Sequence, residues 1–561
     1  MGGAYRLKEP ASLLLAAAMA VAGVLIVVLG SKLTFILDDW TYILYRRDFS
    51  ADAFFTPANE HLVAGAVVVW KLLLSGFGMG SLVPFRIVST AMFLLGDWFL
   101  FVLIRRRLGP WPALLATVPV IFMGAAFEDL FWFSSITFLG SLTCGLGMLV
   151  ALDRRDRVGD GLALAWLLGT MLFSSVWVAF AAGMLVDIAL SRGERDWRRR
   201  AYVVVVPAVL WALWWLGWGH EAESALSFHN IATTPLFVLD SFGSAIAALL
   251  GLATPVEGIA SPAGLDWGRP LAVALGGLAL WRSYRVGRLP RSFWVFLTIG
   301  LAFWILGGFD LKPGRVPWAS RYQLLGGAFV LLVGAELLRG VPLGRRLLGP
   351  ALIVVAASVA SNTLFMHEAY ESYAGSTEIV RGNLTALEIA RDTVDPTFFL
   401  DEEFADTGFD HIDAGSYFAA VDDFGSPAYT IAELQRSGEP ARFAADKVLL
   451  NALRVQLAPA SPDAEGVAEV PANGCVAVPG GAETPLLSLP PGGVAIGAGA
   501  QPVTDITMTR FATPGENAPL PVDFQAGVGA GQATALAIPP DLSTVPWKLQ
   551  LEGGAATVCG L

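Results

Sequence analysis

Long apolar runs separated by short charged stretches fill the first two thirds of the chain. The first runs from Ala11 to Leu29 and continues through Phe35, broken once by Lys32. A membrane-crossing helix needs about 20 predominantly apolar residues, and functional ones can be shorter or broken. The pattern predicts about eleven crossings, at 11–36, 86–104, 111–127, 130–152, 161–174, 176–190, 201–218, 269–281, 292–308, 322–338 and 347–365. Gly161–Leu190 also reads as one long helix. His61–Phe77 is apolar too, but as a crossing it would put Arg105, Arg106 and Arg107 outside, against the positive-inside rule. It is read as a helix in the outer interface with Lys71 snorkelling. Leu236–Leu252 is read as interfacial for the same reason.

After Phe365 charges, prolines and glycines rise. Ser376–Val394 and Ala444–Leu457 keep helical spacing. From about Val467, short Val/Ala/Ile/Thr runs alternate with Pro/Gly punctuation: Val476–Val478, Gly493–Ile496, Ala533–Ile538 and Trp547–Leu551. That pattern predicts a β-sandwich closing a mixed α+β domain. The expected organisation is a transmembrane domain over 1–365 and an extracytoplasmic domain over 366–561, β-rich from about 467.

Charge fixes the expected orientation. Arg105–Arg107, Arg154/Arg155/Arg157, Arg192–Arg200, Arg282–Arg291 and Arg339/Arg345/Arg346 share one side, taken as cytoplasmic. Arg6 and Lys8 precede the first run, which reads as a retained signal-anchor with the N-terminus inside. Composition agrees: 55% hydrophobic and 15% charged residues describe a multi-pass protein of the cell membrane, not a soluble enzyme. The net charge of −11 and the lack of a basic face with interleaved aromatics argue against nucleic acid as a partner. Of three cysteines, Cys144 lies in an apolar run. Cys475 and Cys559 lie in the C-terminal region, where they read either as an extracytoplasmic disulfide or as two buried thiols.

The candidate chemistry lies in the outer loops. Asp38 and Asp39 follow the first apolar run, where ionisable residues are costly and by default functional. They read as a general base for an acceptor hydroxyl, or as interface and helix-capping residues. Glu128 and Asp129 read as a solvated turn or as carboxylates facing the same cavity, there to hold a sugar hydroxyl or a divalent ion. Asn59 reads as an N-cap of the interfacial helix; Glu60 and His61 read as lining the acceptor cavity, with His61 on a phosphate or the acceptor, or as a structural interfacial histidine. Lys312, Arg315 and Arg321, the last next to Tyr322, sit on the side the charge rule disfavours. They suit a phosphate, or lipid headgroups. His220, Glu221, Glu223 and His229 have the residue types of a metal cluster but loose spacing, so no metal site is assigned. Mg or Mn stays open as a cofactor.

Together, Asp38-Asp39, Asn59-Glu60-His61 leading through Gly76-Phe77-Gly78 to Arg86, Glu128-Asp129, Arg321-Tyr322 and a polar outer C-terminal domain resemble the bacterial GT-C glycosyltransferases. That superfamily includes protein O-mannosyltransferases, aminoarabinose transferases and oligosaccharyltransferases. The resemblance covers about residues 1–340 and is topological. It implies a GT-C-like fold and hexosyl or pentosyl transfer from a polyprenyl-phosphate sugar in the lipid bilayer to a glycan, lipid or protein acceptor of the cell envelope. It implies a loop-one Asp as base and a basic outer-loop residue on the donor phosphate. The oligosaccharyltransferases' WWD-type motif is missing, since Leu216 follows Trp214-Trp215. The rival readings are a lipid-linked-glycan flippase or polymerase and a non-catalytic envelope-assembly protein. A transporter should show repeated halves or mid-membrane charge, and here charge inside the runs is sparse, as at Asp97 and Asp187, while carboxylates gather at one surface.

Overall fold

The computed structural model describes residues 9–191, 200–253, 264–312, 314–341, 345–400, 412–459, 474–481, 485–513 and 527–561. Arg6, Lys8, Arg192–Arg199 and the stretch around Val467 lie outside these.

Helices follow the apolar runs, because a backbone in lipid must satisfy its own hydrogen bonds. Among the described residues seven helices are long and apolar enough to cross a membrane: Pro10–Gly30, Val83–Leu108, Phe133–Leu152, Phe228–Leu249, Arg291–Phe309, Ser320–Leu338 and Gly349–Ile389. A bent pair, Pro110–Ile121 with Gly124–Phe131, turns by 48° and adds an eighth if counted as one crossing. Ala64–Phe77, Trp177–Leu190 and Tyr202–Gly217 are shorter apolar helices. The protein is therefore a mostly helical multi-pass membrane protein with a strand-containing C-terminal region. Gly161–Leu190 is two helices, Arg157–Phe173 and Trp177–Leu190, parted by Ser174 in an extended conformation. The run at 347–365 and the helix expected from Ser376 are one 45-residue helix, Arg345–Ile389, with nothing helix-breaking between them.

Two compact units divide the chain. The first comprises 9–33, 46–73 and 82–373 among its described residues; the second comprises 34–45, 74–81 and 374–561.

In the first unit, polar contacts sort the loops into two sets. One set is basic: Arg105 pairs with Glu9, Arg106 with Asp153 at 2.8 Å, and Arg107 with the fully buried Glu336. Arg282 donates to the Leu337 carbonyl, and Arg200 bridges Asp160 and Asp187, which also holds Arg291. The other set gathers residues 52–61, 172–175, 214–230, 309–321 and 124–128. Trp214 donates to the Phe55 carbonyl at 2.7 Å, Ser175 to the Glu60 carbonyl at 3.1 Å, and Lys312 meets Glu60. This alternation is the one the charge pattern requires.

Phe228–Leu249 has the length of a crossing, but both its ends lie at the second set. Near its start Asn230 donates to the Leu311 carbonyl. Near its end the Ala248 carbonyl accepts from Asn362, whose Oδ1 accepts from the Ala125 N–H. Contacts of both ends with the second set are what an interfacial helix would make, while its length is that of a crossing. Ala64–Phe77, at 14 residues about 21 Å long, is one of the shorter apolar helices. Its Gly65 abuts the Leu172 backbone, and Trp70 packs on Phe85 and Phe133.

The second unit has its own core. Leu37 takes a left-handed backbone (φ 51°) and turns the chain into the short helix Asp39–Tyr45. Trp40 is buried between Phe35 and Tyr417, and the Met79 N–H donates to the Phe424 carbonyl. Helices Ala414–Phe424, Ile431–Leu434 and Glu439–Ala452 precede most of the strands. The described strands are β1 (Phe399–Leu400), β2 (Ile412–Asp413), β3 (Gln456–Pro459), β4 (Cys475–Val478), β5 (Leu487–Ser488), β6 (Gly493–Ala498), β7 (Val503–Thr509), β8 (Ala533–Ala537), β9 (Lys548–Gly553) and β10 (Ala556–Gly560). They form antiparallel sheets ordered β3-β8-β6-β10-β4 and β5-β9-β7, beside the pair β1-β2. Strand structure thus begins before Val467, and the helix expected to reach Leu457 ends at Ala452. Cys475 and Cys559 face each other across β4 and β10 and are joined in a disulfide.

A test of orientation follows. Introduced singly, a cysteine at Ser437 is expected to react with an impermeant maleimide on intact cells and one at Arg106 only after lysis. The reverse order would invert the topology.

Candidate functional site

The chain enters the first unit's acidic corner through a tight turn. Ala58 and His61 exchange backbone hydrogen bonds at 3.1 and 3.0 Å, closing a two-residue loop of Asn59 and Glu60. Asn59 is left-handed (φ 51°), a conformation asparagine tolerates better than most residues. This corrects the N-cap reading: the helix starts only at Ala64, and Asn59 is a turn residue.

The turn aims Glu60 at the loop before Ser320–Leu338. Arg315 forms ion pairs with both Glu60 and Asp310. Lys312 reaches the same two carboxylates at 3.2 and 3.5 Å. Asp310 is anchored in turn by the Ala225 N–H at 2.6 Å. Burial alone would raise the Glu60 carboxyl, but the charges of His61 and Arg315 and the Arg315 hydrogen bond outweigh it and hold it at about 2. Burial depresses the His61 imidazole, helped by Arg315 and Lys312 and opposed by Glu60. His61 is therefore neutral near pH 7, and the guanidinium is what keeps Glu60 ionised there. His61 Nδ1 is buried with no hydrogen-bond partner among the described residues.

The second part of the corner is the short helix Phe127–Phe131. Glu128 Oε2 accepts the Arg321 N–H at 2.8 Å, and its Oε1 meets the Arg321 guanidinium at 3.2 Å. Ser320 Oγ accepts the Glu128 N–H at 3.0 Å. Glu128 thus caps Ser320–Leu338, satisfying an N–H that the helix start leaves open. Asp129 is 1% exposed, and neither carboxyl oxygen has a hydrogen-bond partner among the described residues. Buried carboxyls are rarely left so. The rings of His61, Phe138 and Tyr322 make successive edge contacts at 6.3 and 6.0 Å, joining the two parts.

Glu60, His61, Glu128, Asp129, Lys312, Arg315, Arg321 and Tyr322 therefore converge on one end of the first unit. The three cations expected to wait for a phosphate already face carboxylates. Asp310 was not singled out from sequence, although its Asp310-x-Lys312-x-x-Arg315 spacing was a usable signal. Arg86 was seen only as a motif end. It is fully buried, and its guanidinium donates to the Leu130 and Phe131 carbonyls, closing the C-terminal end of Phe127–Phe131. Among the described residues no three His, Cys, Asp or Glu side chains gather as a metal ion would need. His220 instead contacts the Trp215 carbonyl at 3.2 Å.

Asp38 and Asp39 belong to the second unit. Asp39 is fully buried, and its Oδ2 accepts the Ile36 N–H at 3.2 Å. The Asp38 backbone carbonyl accepts the Thr41 N–H at 3.1 Å and opens the helix, while its side chain is only half-buried. Of the two, the first rather than the second reaches solvent.

No protein-family model matches the chain, and no curated protein does. Two solved structures are similar to it. One is the crystal structure of ArnT from Cupriavidus metallidurans bound to undecaprenyl phosphate, 15% identical with a TM-score of 0.45, covering 82% of this chain and 94% of that one. The other is ArnT from the same organism in the apo state, 16% identical with a TM-score of 0.36, covering 85% and 97%. At this likeness no activity passes from those proteins to this chain.

Proposed function

We propose that this protein is an integral-membrane glycosyltransferase that moves a sugar from a polyprenyl-phosphate-linked donor to an envelope acceptor, a glycan, lipid or protein, on the outer face. The observation that carries the reading is the polar corner of the first unit. Four carboxylates, three cations and a neutral histidine meet at one end of the helices, with the Asp129 carboxyl and His61 Nδ1 buried and unpartnered. Buried polar groups without partners cost stability, and a sugar's hydroxyls would satisfy both.

In the reaction a base takes the acceptor's O–H proton. The acceptor oxygen then attacks the sugar's anomeric carbon as the bond to phosphate breaks, and the electron pair leaves with the lipid phosphate. Phosphate is a good leaving group, so the base is the needed catalyst. We assign it to Asp38, with Asp39 as the residue that holds the turn. A flippase is less well supported: among the described residues, the buried acids inside helices do not line up as a relay, since Glu336 pairs with Arg107 and Asp187 with Arg200 and Arg291 at helix ends.

The three cations differ in how firmly they are held. Arg315 is locked between two carboxylates, and Arg321 is shared between Glu128 and the Gly314 carbonyl. Lys312 makes the longest ion pairs and is the most exposed of the three side chains. Lys312 is the one free to turn to a phosphate. Lys312→Ala is expected to raise KM for the lipid-linked donor roughly tenfold or more, the worth of one charged hydrogen bond, with kcat nearly kept. Unchanged KM in a folded variant would remove Lys312 from the donor site.

A further inference from the structure

The segment just before the Ala58–His61 turn is wrapped on two cations. Arg46 donates to the carbonyls of Ala53, Thr56 and Pro57 at 3.0, 2.9 and 3.2 Å. Lys71 donates to the carbonyls of Arg46 and Asp48, and its ammonium lies 4.6 Å from the Phe49 ring and 5.1 Å from the Phe54 ring. Ser50 caps the short helix Ala51–Phe55. That helix is fixed to Tyr202–Gly217 and the residue after it: Trp214 donates to the Phe55 carbonyl, Trp218 donates to Asp52 at 2.8 Å, and Phe55 packs on Trp218 at 5.1 Å.

This well-tied segment nevertheless holds out an apolar ring. Phe49 is 80% exposed, and beside its anchor the last turn of Tyr202–Gly217 exposes Leu213, Trp215 and Leu216. Large apolar side chains held this far out of a well-tied segment and its anchoring helix mark a surface that meets something other than water. Aromatic rings with a lysine among them are what a bilayer's headgroup boundary selects. An ammonium held by carbonyls and ring faces suits a place with little water.

We propose that Asp48–Phe55 is a lipid-seated foot, with the Phe49 ring at the acyl-chain boundary and Lys71 at the level of the lipid phosphates. The occupant of this surface is the bilayer itself. Because Arg46 ties residues 53, 56 and 57 into one body, the foot sets the height of the Ala58–His61 turn that follows. Resting on the proposed function, this would hold Glu60 and His61 in the plane where a lipid-linked donor's phosphate lies.

The test uses the full chain in nanodiscs of phosphatidylethanolamine and phosphatidylglycerol. A nitroxide on Phe49→Cys, in a Cys144→Ala background, is expected to be relaxed more by oxygen than by a water-soluble nickel chelate. A nitroxide on Glu223→Cys should show the reverse. Lys71→Ala should move the label at 49 toward water. Phe49→Asp should raise KM for the donor about tenfold with kcat within about twofold. A label at 49 as open to nickel as the one at 223 overturns the foot. Photocrosslinking from benzoylphenylalanine at position 49 to phospholipid checks this independently, and its failure would count the same way. A lipid-side label with an unchanged KM overturns the positioning role alone, and the depth readings hold whatever the enzyme's donor proves to be.

Discussion

Asp38→Asn is expected to lower sugar transfer by about 10²–10⁴-fold, the usual worth of a general base, while donor binding and expression stay near normal. Asn keeps the shape and cannot take a proton. The backbone carbonyl that opens helix Asp39–Tyr45 is untouched, so the turn should survive. Asp39→Asn should behave differently. Its oxygen can still accept the Ile36 N–H, but the amide brings two donors into a fully buried place. An unsatisfied buried group costs about 1–3 kcal/mol, so this variant should lose melting temperature first and activity through it. Transfer and thermal melting measured on both variants separate the roles. Normal turnover in Asp38→Asn with a folded, inactive Asp39→Asn would exchange them. Normal transfer by the double variant would end the mechanism and favour a non-catalytic envelope role.

That prediction moves the base from Asp39, which sequence alone would favour as the residue further from the apolar run. Distance along the chain misleads here because Leu37 turns left-handed and sends Asp39 inward. No residue type announces such a turn at a leucine. The assignment of Thr34–Tyr45 and Leu74–Ser81 to the second unit was equally illegible, since it depends on non-local packing such as Trp40 against Tyr417. The helical scaffold was legible because apolar length and the sidedness of arginine are set by the bilayer. At Phe228–Leu249 the two criteria differ: the charge rule reads an interfacial helix, while its length and apolar character are those of a crossing. The outer-loop cations were legible as exceptions to that rule. Their carboxylate partners were only half legible: Glu60 and Glu128 stood out as motifs, while Asp310 passed as loop polarity. β5 escaped because two residues carry no period, and β10 because alanine and glycine blur the period-two pattern.

Arg315→Ala is expected to release the loop from Phe309 to Arg321. The guanidinium is the strongest link between Glu60 and Asp310, and removing it leaves two partly buried carboxylates with Lys312 as their remaining cation among the described residues. Charged hydrogen bonds are worth about 1.5–3 kcal/mol each, and exposure of the cluster trims this. Local opening measured by hydrogen exchange at the Arg315 and Ala319 amides, bonded to the Lys312 and Val316 carbonyls, should become easier by about 2 kcal/mol. Adding Glu60→Gln should recover part of the loss, because it removes the charge left without its partner. The pH dependence has a definite sign. Glu60 sits at about 2 when folded against an ordinary 4.5, so its contribution is fully present above about pH 4.5 and drains away as pH falls toward 2. Wild-type protection at these amides should therefore fall over that window, and in Arg315→Ala the fall should largely vanish. An identical acid profile in the two proteins would show that Arg315 does not hold Glu60 ionised. The loop would then owe its order to Glu128 and Ser320, and Lys312 would be no freer than Arg315 to meet a donor phosphate.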